Sequence, residues 1–225
     1  MNNKMFCFQC QECAGGNGCT ICGVCGKSAA VAGLQDLLVH AVKGLSAVAV
    51  RRREEGGRVT KTVNHLVTAS LFMTVTNANF DSSAIRRAVT RVLDVQRELV
   101  EELNSREGLP EAALWDGDED EYVVKAASVG VLSTADPDIR SLRSLITYGL
   151  KGLCAYVKHA NALHLDSEEI DIFIQEALAK TLDDDLDAAA LTALALETGK
   201  FGVAGMALLD RANTNTYGHP EITEV

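Results

Sequence analysis

The frame L-x2-L-(L/I)-x4-K-G-L-x-A occurs twice, first from Leu34 to Ala47 and again from Leu142 to Ala155. Apolar residues at i, i+3 and i+4 describe one face of a helix, so the chain must build the same helix twice and bury both copies. Each copy is followed by two further helical stretches. The simplest architecture is therefore two copies of a three-helix unit packed against each other. Gly44 and Gly152 hold equivalent places within the two frames. Each costs a helix about 1 kcal/mol relative to Ala, and the recurrence predicts close helix contact at both.

Three prolines, many alanines and leucines, and few aromatics fit helices throughout. Strand-like alternation bounded by hairpin turns is hard to find. The spacing predicts helices over 28–53, 61–76, 82–105, 138–163, 167–181 and 187–212. Asp81-Ser82-Ser83 supplies an N-cap before the apolar stripe Ile85, Val89 and Val92. Asp136-Pro137 opens the fourth helix, with proline in the first turn. Asp166 to Glu169 starts the fifth with acidic residues at the positive end of the dipole. The expected fold class is all-α: two three-helix bundles related by internal duplication, preceded by a cysteine-rich loop. The expected divisions are 1–27 for the loop, 28–108 for the first bundle and 109–137 for the connector. The second bundle takes 138–215, and 216–225 is a tail.

With 225 residues the chain can bury a substantial core. It carries 21 basic and 31 acidic residues, a net charge of −10. That balance gives no electrostatic footprint for nucleic acid or an anionic membrane surface. Arg51 to Arg53 follow an apolar helical stretch, where cations complement a helix C-terminus. The apolar run Leu34 to Val50 is broken by Gln35, Asp36, His40 and Lys43, so it falls short of a spanning segment. Met1 to Phe8 lacks the apolar core of a secretory signal. The expected location is cytoplasmic.

The chemistry concentrates at the N-terminus. Cys7, Cys10, Cys13, Cys19, Cys22 and Cys25 occupy nineteen residues, with four glycines among them and Gly26 directly after, and only Cys154 lies elsewhere. Thiolates that close can converge on one soft metal centre. Structural disulfides are disfavoured by a cytosolic redox poise. Two readings remain. Cys7/Cys10 with Cys22/Cys25 form two C-x2-C knuckles suited to tetrahedral zinc, and short C-x2-C spacings equally suit an iron–sulfur cluster. Excess cysteine favours iron–sulfur slightly, and the spacing alone leaves both open.

Other candidate sites are weaker. Cys154 falls in a helix on an apolar-to-small face and reads as a buried small hydrophobe. His40, His65, His159, His164 and His219 form no i, i+4 helical pair and read as structural or solvated. Asp116 to Asp120 resembles a calcium loop but has Glu121 where such a loop needs Gly, and Ala127 where it needs Glu. Asp183 to Asp185 reads as a turn and helix cap. Gly199, Gly202 and Gly205 lie in a helical pattern, which points to close helix packing rather than phosphate binding.

The quoted motifs extend along most of the chain. Phe6-Cys7-Phe8-Gln9-Cys10-Gln11-Glu12, Gly18-Cys19-Thr20, Gly23-Val24-Cys25-Gly26-Lys27 and Leu34 to Leu38 closely resemble the start of hybrid-cluster proteins, also called prismane proteins or hydroxylamine reductases. The resemblance continues through Thr76 to Asp81, Ser128-Val129-Gly130, Asp138 to Arg143, Gly149 to Gly152, Met206 to Asp210 and Ala212-Asn213-Thr214. It ends in Thr216 to Thr223, where the family more usually has Asn at the place of His219.

The resemblance implies a helical first domain of two three-helix bundles. It places the family pattern C-x2-C-x8-C-x5-C on Cys7, Cys10, Cys19 and Cys25, which in the family hold a [4Fe-4S] cluster. Members with a longer middle gap hold a [2Fe-2S] cluster instead. Cys13 and Cys22 fall where the family usually has other residues and read first as spare thiols, with alternative ligands or part of a second centre as the other readings. In the family, the hybrid cluster takes its ligands from two Rossmann-like domains that follow, so no catalytic residue is assigned within these 225. The implied role is one-electron transfer toward a hybrid cluster that reduces hydroxylamine or nitric oxide, an oxidoreductase assignment by resemblance. The alternatives are a ferredoxin-like carrier or iron–sulfur redox sensor, and a zinc-stabilised interaction module. The expected partners are a redox protein, a separate chain carrying the hybrid-cluster domains, or a second copy. A homodimer would cover a face that includes Phe201, Val203 and the Tyr217 to Val225 tail.

Overall fold

The computed structural model describes residues 5–223; Met1 to Lys4, and Glu224 and Val225 at the end of the predicted tail, lie outside the described residues. Eight α-helices and no strand occur among the described residues. The helices are α1 (Ala29–Glu54), α2 (Lys61–Met73), α3 (Ser82–Glu101), α4 (Glu111–Leu114), α5 (Tyr122–Ala126), α6 (Pro137–Ala162), α7 (Glu168–Lys180) and α8 (Ala188–Tyr217). The fold is all-α, with the cysteine-rich segment ahead of it.

The six long helices start within one residue of where periodicity puts them, although α2 and α3 end at Met73 and Glu101, short of 76 and 105, and α8 runs past 212 to Tyr217. Most of the starts are set by side chains. Ser28 accepts from the Val31 amide, Thr60 from Val63, Asp81 from Ser83 and Ala84, and Asp136 from Asp138 and Ile139. Each such cap is worth about 1 kcal/mol. α7 starts as expected, with Glu168, Glu169 and Asp171 in its first turn, and Ser167 adds no side-chain cap. One start differs from expectation. The cap of α8 is Asp187, accepting from Ala190, whereas Asp183 closes a turn onto the Asp185 amide. The 109–137 stretch holds the short helices α4 and α5 and a 3-10 turn at Val131–Ser133.

One continuous apolar core runs through all six long helices, from Val31 to Ala212. α6 packs most extensively on α8 and α1 on α3, while α7 lies against α1 and α2 against α6. The two triplets thus interleave along a shared core. Arg53 at the end of α1 ties three helices together: its guanidinium donates to Gln175 on α7 (2.7 Å) and to Asn64 on α2 (3.3 Å). Asn64 also donates to Asp171. Burial raises the Asp171 carboxyl to about 6. α1 is long and apolar enough to cross a membrane by composition, but 72% of the relevant window is buried within the fold, which is the position of a core helix.

The paired glycines part company. A Cβ on Gly44 would lie 2.0 Å from the Ala112 carbonyl oxygen, so α4 sits directly on that glycine. A Cβ on Gly152 would meet nothing within 4 Å. Close contact between α6 and α8 comes instead from Gly149, beside Thr198, and from Gly205, beside Leu153; Gly199 and Gly202 face open space. Phe201 is not on an open face either, since its ring stacks on Phe173 with centroids 3.8 Å apart. Val203, Met206, Leu196 and Leu145 are exposed.

Candidate metal centre

The cysteine segment has almost no regular structure, as its glycines require. A single antiparallel bridge pairs Cys7 with Cys19, each amide donating to the other's carbonyl at 3.0 and 2.8 Å. Met5 donates to Thr20 just beyond it. The intervening chain makes a 3-10 turn at Ala14–Gly16 and returns through Gly18 at φ +134, a backbone conformation open to glycine. Gly18 also has no room for a side chain: a Cβ would lie 2.7 Å from the Phe6 ring. A second turn brings Gly23 to the Lys27 carbonyl at 2.8 Å.

The segment is anchored to the helices at three points. Lys27, almost wholly buried, donates to Gln35 on α1 at 2.6 Å, and Gln35 donates on to the Asn79 carbonyl. Phe8 packs edge-on against Tyr148 of α6. Lys151 of α6 donates to Gln9, between Cys7 and Cys10, at 3.2 Å and to the Thr74 carbonyl at 3.3 Å. Met5, Cys19 and Ala32 form a small apolar cluster against which Cys7, Cys13 and Ala29 pack. Lys27, Gln35, Tyr148 and Lys151 play no part in the sequence reading of the site. A lysine or glutamine within a helical pattern gives no signal of being buried under a distant loop.

The structure places the predicted ligands unevenly. Cys7 and Cys19 stand side by side across the bridge, with Cys19 buried and Cys7 partly so. Cys10 is partly buried and Cys25 exposed. Of the spare thiols, Cys13 packs with Cys7 and Cys19, and Cys22 is exposed. All are free thiols, and no group of three or more Cys, His, Asp or Glu side chains among the described residues converges at metal-holding distance. The sulfurs form a donor set along one loop rather than a closed cage. Cys154 is fully buried, and burial pushes its thiol well up, as for an inert core cysteine.

The donor set fits a thiolate-bound iron centre in its chemistry. The Cys19 sulfur accepts the Ala14 amide at 3.4 Å. That bond, with a second from the Val24 amide and the charge of Lys27, holds the Cys19 thiol below its ordinary range. Amide donors to a thiolate favour its charged, ligating form and tune the centre it holds. Beneath the loop, the Lys151 ammonium feels the Cys7 sulfur, and burial nevertheless pulls it down to about 8.

The sequence model of the Prismane/CO dehydrogenase family matches residues 5–225, essentially the whole chain. The chain belongs to that family. It is 54% identical to the hydroxylamine reductase of Desulfovibrio desulfuricans over 226 residues, which take in 100% of this chain and 42% of that protein. It is 55% identical to the hydroxylamine reductase of Clostridium perfringens, covering 99% of this chain and 42% of the relative. With that of Acetivibrio thermocellus it shares 52% identity, over 99% and 41% of the two chains. The chain thus spans about two-fifths of the length of these relatives.

Proposed function

We propose that this chain is the iron–sulfur electron-transfer part of a hydroxylamine reductase-type protein, with a [4Fe-4S] cluster on Cys7, Cys10, Cys19 and Cys25. One observation carries the reading: a C-x2-C-x8-C-x5-C set of free thiols, held in a glycine loop with amides directed at sulfur, in a chain about half identical to hydroxylamine reductases. Such a cluster supplies a carrier for one electron at a time. The chain's own residues do the rest. Cys7 and Cys19 set the inner side of the loop through their mutual backbone bridge. The Ala14 and Val24 amides stabilise thiolate charge at Cys19. Phe6, Phe8 and Tyr148 pack in sequence, tilted and edge-on, and tie the loop's inner edge to α6. Lys27 and Lys151 place two positive charges behind it, compensating part of the charge that four thiolates bring.

Electrons accepted here would pass toward a hybrid cluster held outside these residues, where hydroxylamine or nitric oxide is reduced. The partner is a redox protein, a chain carrying the hybrid-cluster domains or a second copy, and the exposed strip Leu196, Val203 and Met206 of α8 with Leu145 of α6 is the face that it covers. The setting is cytoplasmic. Anaerobic reductive titration tests this reading. Uptake of one electron per chain, with no hydroxylamine turnover above a control cluster protein, is expected. No reducible centre, or rapid turnover by the chain alone, overturns it.

A further inference from the structure

The lysines of the repeated frame meet in one place. Lys43 on α1 and Lys151 on α6 line a cavity of about 700 Å³ between those two helices, with Asp36, Arg143, Thr147 and Gln9 around them. α1 and α6 scarcely touch one another, so the gap between the equivalent helices of the duplication is the cavity. The volume lies in the range of small-molecule sites.

The two lysines are not matched by any carboxylate around the cavity. Among the described residues, no ion pair within 4.0 Å joins Asp36 to either lysine. Lys151 spends two of its hydrogens on Gln9 and Thr74. No hydrogen bond of the Lys43 ammonium is found among the described residues, and burial pulls it down to about 8, which leaves it charged at neutral pH. Arg143 uses one nitrogen on Asp183 and Asp184, while its buried Nε has no partner. The Nε2 of His40, on the same wall, faces the Glu111 carboxylate at 3.4 Å and is not available to a ligand. Buried charge is normally paired. The lining carries five cations, Lys43, Lys125, Arg140, Arg143 and Lys151, and four carboxylates, Asp36, Glu111, Asp136 and Asp184. Glu111 pairs with Lys125 and Asp184 with Arg143, which leaves the two frame lysines without an ion pair.

We propose that this cavity binds a compact tetrahedral oxyanion of the phosphate class, free or carried on a small molecule, between Lys43, Lys151 and Arg143. The two lysines supply point charges from opposite walls, and Arg143 supplies a directed N–H. Thr147 lines the same wall as Arg143 and adds a hydroxyl, which already donates to the Arg143 carbonyl and is free to accept from a protonated oxyanion. Asp36 does not oppose the ligand as a full charge, since burial raises it to about 7. None of these side chains is a candidate cluster ligand. Lys151 also stands behind the cysteine loop through Gln9, so the test is placed on Lys43 and Arg143, which make no hydrogen bond to that loop among the described residues.

The test is titration of the full 225-residue chain with inorganic phosphate in a phosphate-free, low-salt buffer, followed by calorimetry and phosphorus NMR. Saturable one-to-one binding tighter than about 1 mM is expected. Lys43→Met should weaken it roughly tenfold or more with helix content unchanged, because Met matches the lysine stem without its charge. Arg143→Met gives the same readout should Lys43→Met fail to fold. Lys200→Met, on the exposed side of α8, should leave it unaltered. Glycerol 3-phosphate separates the two sources: tighter binding than phosphate means an oxyanion carried on a small molecule, and equal or weaker binding means the free ion. Absence of saturable binding, equal loss in Lys200→Met and Lys43→Met, or stronger competition by an acidic peptide than by either phosphate would overturn the assignment.

Discussion

The cysteine segment and the helical body are held together by opposite means. The body is fixed by its own side chains: capped helices, a shared core, and close approaches at Gly44, Gly149 and Gly205. The segment from Met5 to Lys27 has one backbone bridge, a small apolar cluster and three anchors to the body. A body so built has what it needs to fold without a metal, whereas a loop with so little apolar burial would, on the proposed reading, depend on what its thiols bind. The duplication sets the scaffold, and the proposed cluster would give the loop its final form.

The largest effect that could break this contrast is loss of a ligand. Replacing Cys7, Cys10, Cys19 or Cys25 singly by Ser should abolish the cluster while circular dichroism shows the helices intact. Cys13→Ser and Cys22→Ser should retain it. Equal loss from those two would overturn the ligand choice, and collapse of the helices would show that the body depends on the loop.

Gly44→Ala is the converse probe. The new Cβ collides with the Ala112 carbonyl and with Gln96, so α4 must shift, at about 1–3 kcal/mol. In a chain of this size that lowers the melting temperature by several degrees, and iron content should not change. An unchanged melting temperature would mean that α4 is not seated on α1 as described.

A smaller effect sharpens the contrast through pH. Burial raises Asp36 from 3.8 to about 7, against the pull of Lys151, Lys27 and Lys43. Between those values the folded chain keeps a proton that the unfolded chain has lost, so stability falls as pH rises through the window. Asp171, raised to about 6, slopes the same way. Asp36→Asn should therefore melt higher than the parent near pH 7, with the gain shrinking toward pH 4; a gain that does not vary with pH contradicts the burial. Smallest of all, Gly152→Ala meets open space and should stabilise α6 by up to about 1 kcal/mol in chemical denaturation. A loss there would mean that the second frame is packed after all.

The body was the legible part of the sequence, because a 3.6-residue stripe and a capping Asp or Ser report on local geometry. Asp81, Asp136 and the start of α1 needed no knowledge of what lay beside them. The twin glycines show where that stops. Gly44 and Gly152 are equivalent in the frame, but α4 lies over one and nothing over the other, and periodicity does not say what packs on a face. Phe201 was misplaced for the same reason: only the fold brings Phe173 onto it. At the site, the spacing marked the thiols, while Gln35 and Lys151 stayed hidden because lysine and glutamine in a helix read as solvent-facing, and Lys27 because nothing in the loop's spacing says that it turns inward. Their burial depends on a loop more than a hundred residues from Lys151 in sequence.

The most direct test of the account is the metal content of protein prepared without oxygen. The account predicts brown protein with about four irons and four acid-labile sulfides per chain, no stoichiometric zinc, and colour that fades on reduction. Colourless protein carrying stoichiometric zinc and no iron would contradict it.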